Sequence, residues 1–152
     1  MVADPEQELE RYADELAEAV ERELPAWVMR SVERRLPPDS AGVAMDRAGA
    51  AGQRARLEAG GRVRDLLERD IDDQDTTPLT ILRAAVSYPT DVLREAGVPP
   101  VARDEFALEA FPDDDYDLAP ATFADVHPSL HEPAIAWGAA KAFVHLRRHE
   151  AG

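Results

Sequence analysis

All four histidines of the chain fall in two stretches, HPSLHEP from His127 to Pro133 and HLRRH from His145 to His149. Each pair is spaced i, i+4. On a helix that spacing puts both imidazoles on one face, where they can share a zinc ion. If the first stretch folds back along the last helix, His127, His131, His145 and His149 converge, with Asp125 or Glu132 as a further ligand. Two features count against this. HxxxH without the central glutamate of HExxH carries little information, and Pro128 lies between the first two histidines. The competing expectation is structural. His127 and His131 cap or anchor the approach to the last helix, and His145 and His149 sit as cations at its C-terminal end beside Arg147 and Arg148.

The second group is FPDDDYD, Phe111 to Asp117. Asp113, Asp114, Asp115 and Asp117 surround Tyr116. Carboxylates this dense can hold Ca²⁺ or Mg²⁺, but neither the spacing nor the glycine of an EF-hand is present. The same residues can form an acidic, aromatic-tipped loop that docks on an arginine-rich protein, or a solvated loop whose tyrosine packs inward. A third group, Arg47 to Arg69, holds six arginines and three acids. It lacks the interleaved aromatics of a stacking nucleic-acid surface, and the expectation is pairing with the acidic first helix or with 111–117. Lys141 is the only lysine, and it is expected on a helix exterior. Serines are few and no GxSxG occurs. No nucleophile, base and oxyanion donor can be assembled from neighbouring segments, so catalysis is the less favoured expectation.

The charge surrounding these groups is uneven. The 152-residue chain has 31 acids and 17 bases, a net charge of −14. Residues 1–24 hold nine acids and two bases, and residues 100–132 nine acids and one base, while 25–36 and 133–152 each carry a net +2. Affinity for nucleic acid comes largely from cationic side chains at phosphates, so general nucleic-acid binding is not expected. The charge allows a basic protein partner, and it allows the plainer reading, which comes first, that it only keeps the protein in solution. There are no cysteines, hence no disulfides and no thiolate metal ligands. The start, MVADPEQELERY, has neither the basic nor the apolar region of a secretory leader, and no apolar run approaches the ~20 residues of a membrane span. The expectation is a cytoplasmic protein. Arginine in place of lysine and abundant alanine give an actinobacterial-like composition.

The elements that must position these groups read as helices. Asp4 and Pro5 form a helix start, and Leu9, Ala13, Leu16, Val20 and Leu24 form a stripe. Pro25 is expected to break or bend the chain and begin a second helix, with Trp27, Val28, Val32 and Leu36 on one side and Arg30, Arg34 and Arg35 toward its end. The glycines of 44–72 predict two pieces, about 44–59 and 62–71, parted at Gly60–Gly61. The acidic connector DIDDQDTTP leads to a helix capped by Thr77, kinked or split at Pro89, and closed by Gly97 in a Schellman motif with Leu93 and Val98. Residues 98–132 hold five of the twelve prolines and four of the nine aromatics, too many apolar groups for a disordered linker. They predict an ordered, proline-rich wrapping segment with a short helix near 104–111. The last helix begins at Pro133, with Ile135, Ala139, Ala142, Phe143 and Leu146 as its stripe, and Gly138 and Ala139 leave room for another helix.

The expected architecture is all-α: a single helical domain over 1–152, a bundle of five or six helices with the long segment at about 98–132 before the last. The leading functional expectation is an interaction or regulatory module presenting acidic surface, chiefly 104–117 and the first helix, to a basic partner. The alternatives are a metal-binding protein or metal-dependent enzyme using the histidine pairs, and a structural helical homodimer built on the first or last helix.

Overall fold

Asp4 accepts a hydrogen bond from the Glu6 amide at 3.1 Å, and Pro5 takes the first helical position of α1, Pro5–Arg35. The structure, a computed structural model, describes residues 4–68 and 78–150. The connector at 70–77, including Thr77 and Ile71, lies outside the described residues. Among the described residues, six α-helices of six or more residues and one four-residue turn follow in order: α1, α2 (Ala41–Glu68), α3 (Pro78–Ala84), α4 (Ser87–Glu95), α5 (Glu105–Ala110), α6 (Phe123–Val126) and α7 (His131–Glu150). Short 3-10 turns at Pro38–Ser40 and Pro128–Leu130 precede α2 and α7. Among the described residues there is no strand, and no helix is long and apolar enough to cross a membrane. The all-α architecture is as expected.

α1 does not break at Pro25 but runs 31 residues through it. The proline removes one intrahelical hydrogen bond and crowds the preceding turn, a cost of ~3 kcal/mol in a free helix. Packing overrides it. Val20, Leu24, Val28 and Val32 step by four across the proline and all are fully buried, so the two stripes expected on separate helices are one.

α2 is likewise continuous through Gly60–Gly61. Its buried side is Ala44, Ala48, Ala51, Ala55, Ala59, Val63 and Leu67, a seam of small residues stepping by four and three. That seam brings α2 against α1 closely enough that a methyl group added to Gly52 would lie 2.9 Å from the Pro25 Cα. Gly52, which weakens an isolated helix, thus admits the neighbouring backbone here, while Leu57 points to solvent.

α4 packs on both α2 and α1. The Tyr88 hydroxyl donates to Glu58 on α2 at 2.8 Å, and burial together with that carboxylate pushes its pKa up to about 12. Pro89 falls in the first turn of α4, after a break at Ala85–Val86, where an amide has no helical partner to lose. The end of α4 is the expected Schellman motif: Gly97 has φ 76°, its amide donates to Arg94, and the Val98 amide donates to Leu93 at 3.1 Å. One hydrophobic cluster joins α1, α2, α3 and α4 to Tyr116, Leu118, Val126, Leu130 and Trp137.

α7 starts at His131, two residues earlier than expected, and packs against α1. The expected stripe faces the wrong way for core packing: Trp137 and Val144 are buried, whereas Ile135, Phe143 and Leu146 are each more than half exposed. Lys141, expected outside, lies half-buried over the Trp137 ring at 4.7 Å, and burial lowers its pKa. The helix is apolar on two opposite sides, so the pattern alone did not select the covered one.

The seam gives a paired prediction. Gly52→Ala forces a methyl into the Pro25 backbone and is expected to destabilise by about 1–3 kcal/mol. Gly49→Ala, with no atom within 4 Å of the added carbon, is expected to stabilise by about 0.5–1 kcal/mol. Urea denaturation of the two variants checks the sign of each.

Candidate functional site: an arginine-lined cleft beside a pinned acidic loop

Residues 111–126 hold little regular structure, and their main chain is held by side chains instead. Asp114 is only 1% exposed. Its carboxylate accepts from the Leu118 amide at 2.8 and 2.9 Å and from the Ala119 amide at 2.8 Å. Asp115 pairs with Arg94 on α4 at 2.8 Å. Tyr116 is buried and its hydroxyl donates to the Val98 carbonyl at 2.6 Å, and its pKa is raised, mainly by burial. Of the five residues expected to meet a basic partner, these three are therefore occupied inside the molecule. Asp113 is exposed. Asp117 is exposed too, and is the only described non-glycine residue at positive φ, 56°, a conformation that aspartate tolerates better than most.

Arginines hold the carbonyls of the same segment. Arg30 donates to Val126 at 2.7 Å, Arg34 to Asp117 at 3.3 Å and Arg35 to Tyr116 at 3.0 Å, all from α1. Arg83 on α3 reaches the Pro120 and Ala121 carbonyls, both at 3.1 Å. Arg103 donates to Phe111 and Ala107 at 2.7 and 2.8 Å and also to Asp114. Beneath the α1 arginines is a cleft of about 640 Å³. Trp27, Arg30, Ser31 and Arg34 line one wall at the i, i+3, i+4, i+7 spacing of a single helix face, and Leu118 and Pro120 line the other. Asp125 also borders it, but its carboxylate accepts from the Ala121 and Thr122 amides at 3.0 and 2.9 Å in the capping box of α6.

Arg30, Arg34 and Arg35, expected only as basic residues toward a helix end, where cations suit the dipole, line this cleft instead. Three arginines at i, i+4, i+5 beside a tryptophan, in a chain this acidic, were the available signal. The opposite wall comes from residues 81 to 96 positions away along the chain, and no local pattern announces it.

The histidines are spread out. His127 caps the 3-10 turn: its Nδ1 accepts from the Ser129 amide at 3.1 Å, and its Nε2 lies 3.7 Å from Glu23. His131 opens α7 and is exposed. His145 is fourteen residues further along the same helix, roughly 21 Å at 1.5 Å per residue, so the two cannot share an ion. The side chain of His149 lies outside the described residues. Among the described residues no group of three or more histidine and carboxylate side chains is arranged to hold a metal ion. Arg64 meets the first helix, as expected for the arginine run, at Glu21 (3.3 Å) and Asp14 (3.5 Å), and Arg47 pairs with Glu95 on α4 at 3.1 Å. Arg69 lies outside the described residues.

Asp114 and Asp113 separate a structural role from a surface one. Asp114→Ala leaves two buried or half-buried amides without an acceptor and is expected to cost about 2–4 kcal/mol, whereas Asp113→Ala is expected within about 0.5 kcal/mol of the parent. Thermal denaturation of both checks this, and equal losses would refute the assignment. No family model matches the chain, no curated protein matches its sequence, and no solved structure matches its fold.

Proposed function

We propose that this chain is a cytoplasmic protein–protein interaction module that presents acidic surface to a basic partner, with α5 as the contact. The observation that carries the reading is that α5 buries none of its residues and leaves Phe106 80% exposed. Leu108 is half exposed two residues on, and Glu105, Glu109 and Asp113 in the same stretch are exposed too. An exposed aromatic side chain flanked in sequence by carboxylates suits a partner that offers an apolar pocket with arginine or lysine at its rim: the ring supplies the desolvated anchor, and the charges set orientation and encounter rate. Asp104 caps the helix by accepting from the Ala107 amide at 2.7 Å, so the knob is preformed. A peptide rich in arginine and leucine serves as probe in fluorescence anisotropy. Binding is expected to weaken with salt, and Phe106→Ala is expected to weaken it by roughly ten- to thirtyfold with an unchanged circular dichroism spectrum. Equal binding by parent and variant would sink the reading.

A second reading rests on α7. Ile135, Ala139, Ala142, Phe143 and Leu146 share its outward face, and the 133–152 region is net +2 in a chain of −14. Two copies meeting there bring together one of the two regions of the chain that are not acidic. In an antiparallel pairing centred between Ala139 and Ala142, Phe143 lies over Gly138 of the second copy, Ile135 meets Leu146, and Glu132 approaches Arg147. Light scattering is expected to give twice 16.7 kDa for the parent and a monomer for Leu146→Asp; a monomeric parent at tens of micromolar, on the order of typical weak-dimer conditions, removes this reading.

A further inference from the structure

We infer that the cleft between the C-terminal third of α1 and the 116–126 loop binds a small organic phosphate. The first reason is charge left over. Arg22, Arg47, Arg64 and Arg94 each find a carboxylate within 4.0 Å, as expected where 31 acids face 17 bases. Among the described residues Arg30, Arg34 and Arg35 make no ion pair, which they share with Arg11, Arg54, Arg56 and Arg62; what sets the three apart is that they line one cavity. A guanidinium carries five N–H donors, and each of these three gives a single hydrogen bond to a loop carbonyl. Holding the loop uses one donor from each. Most of their donors and all three charges are left over in residues that line the cleft.

The second reason is shape and lining. The volume of about 640 Å³ lies within the roughly 300–1,000 Å³ of small-molecule sites. Trp27, Leu118 and Pro120 offer an apolar floor for the body of a ligand, and the buried Ser31 adds a hydroxyl. Three guanidiniums supply more donors than one carboxylate accepts, whereas a phosphate monoester presents three oxygens to bidentate forks. Asp125 is turned to its own capping amides. Asp117 is the carboxylate left at the rim, and it favours a hydroxyl or amine on the ligand body over a second phosphate. The overall charge of −14 repels anions at long range, but screening at about 8 Å in physiological salt leaves the local arginines in control.

Phenyl phosphate is a suitable probe, since it joins one phosphate to one apolar ring. At ionic strength matched with sodium chloride, it is expected to raise the melting temperature by several degrees and to shift the Trp27 indole N–H resonance, with benzoate giving a smaller effect. Arg34→Gln keeps a donor for the Asp117 carbonyl and removes the charge; it is expected to weaken binding about tenfold or more at an unchanged melting temperature without ligand. Should that variant be less stable, the Trp27 shift in the parent protein decides by itself. A melting-temperature rise equal to that in chloride, an unmoved Trp27 resonance, or full affinity in Arg34→Gln would overturn the inference.

Discussion

The main-chain polar groups of residues 111–130 set the constraint on which the rest of this structure depends. Tyr116, Leu118, Val126 and Leu130 are buried, so the backbone that carries them must enter the core without the ladder of a long helix. Each buried amide or carbonyl left unpaired would cost about 1–3 kcal/mol. The chain meets the requirement with charged side chains: one carboxylate for the amides of Leu118 and Ala119, and five arginines for carbonyls between Ala107 and Val126. These bonds are stronger than neutral ones, and they come from α1, α3 and the segment itself. Moving the loop would therefore mean parting it from several helices at once.

That requirement explains why α1 is long. Its arginines act as a group only if Trp27, Arg30, Ser31 and Arg34 stay on one helical face, and a break at Pro25 would let the last third rotate. The small-residue seam of α2 prevents this by closing on the backbone of Pro25 itself. Gly52 and the alanines of α2, unremarkable as chemistry, hold straight the rod that carries the cleft.

Legibility in the sequence followed the range of the interactions. The start of α1, the Schellman close of α4, the short helix near 104–111 and the capping role of His127 all depend on neighbours within a few residues, and each was readable. Pro25 and Gly60–Gly61 misled because local propensity ranks them as breakers, while the interface that overrides it joins residues some 30 positions apart. The stripe of α7 misled for a different reason. With Trp137 and Val144 on one side and Ile135, Phe143 and Leu146 on the other, periodicity reports two candidate faces and only the position of α1 chooses between them. The acidic loop shows the same limit: FPDDDYD looks like one charged surface, yet Asp114 and Tyr116 point inward and Asp113 outward, and alternation that fine depends on turn geometry.

Internal use of the loop also separates the two surfaces that remain. If Asp114 and Asp115 were free, they could swing toward Arg34 and Arg35 and neutralise the cleft. Bound to amides and to Arg94, they cannot. Asp125 is held away in the same manner by the capping box of α6. Asp114, Asp115 and Asp125 are thus committed to backbone or to another base, which leaves Asp117 as the lining carboxylate without such a commitment at the mouth of a cationic cavity within a strongly acidic protein. Glu105 and Glu109 on α5 and Asp113 just beyond it have no such commitment either, and they are exposed in the same stretch of chain as Phe106. One segment of about thirty residues, net −8 in composition, is sorted by its hydrogen bonds into an outward acidic knob and one wall of an inward basic cleft.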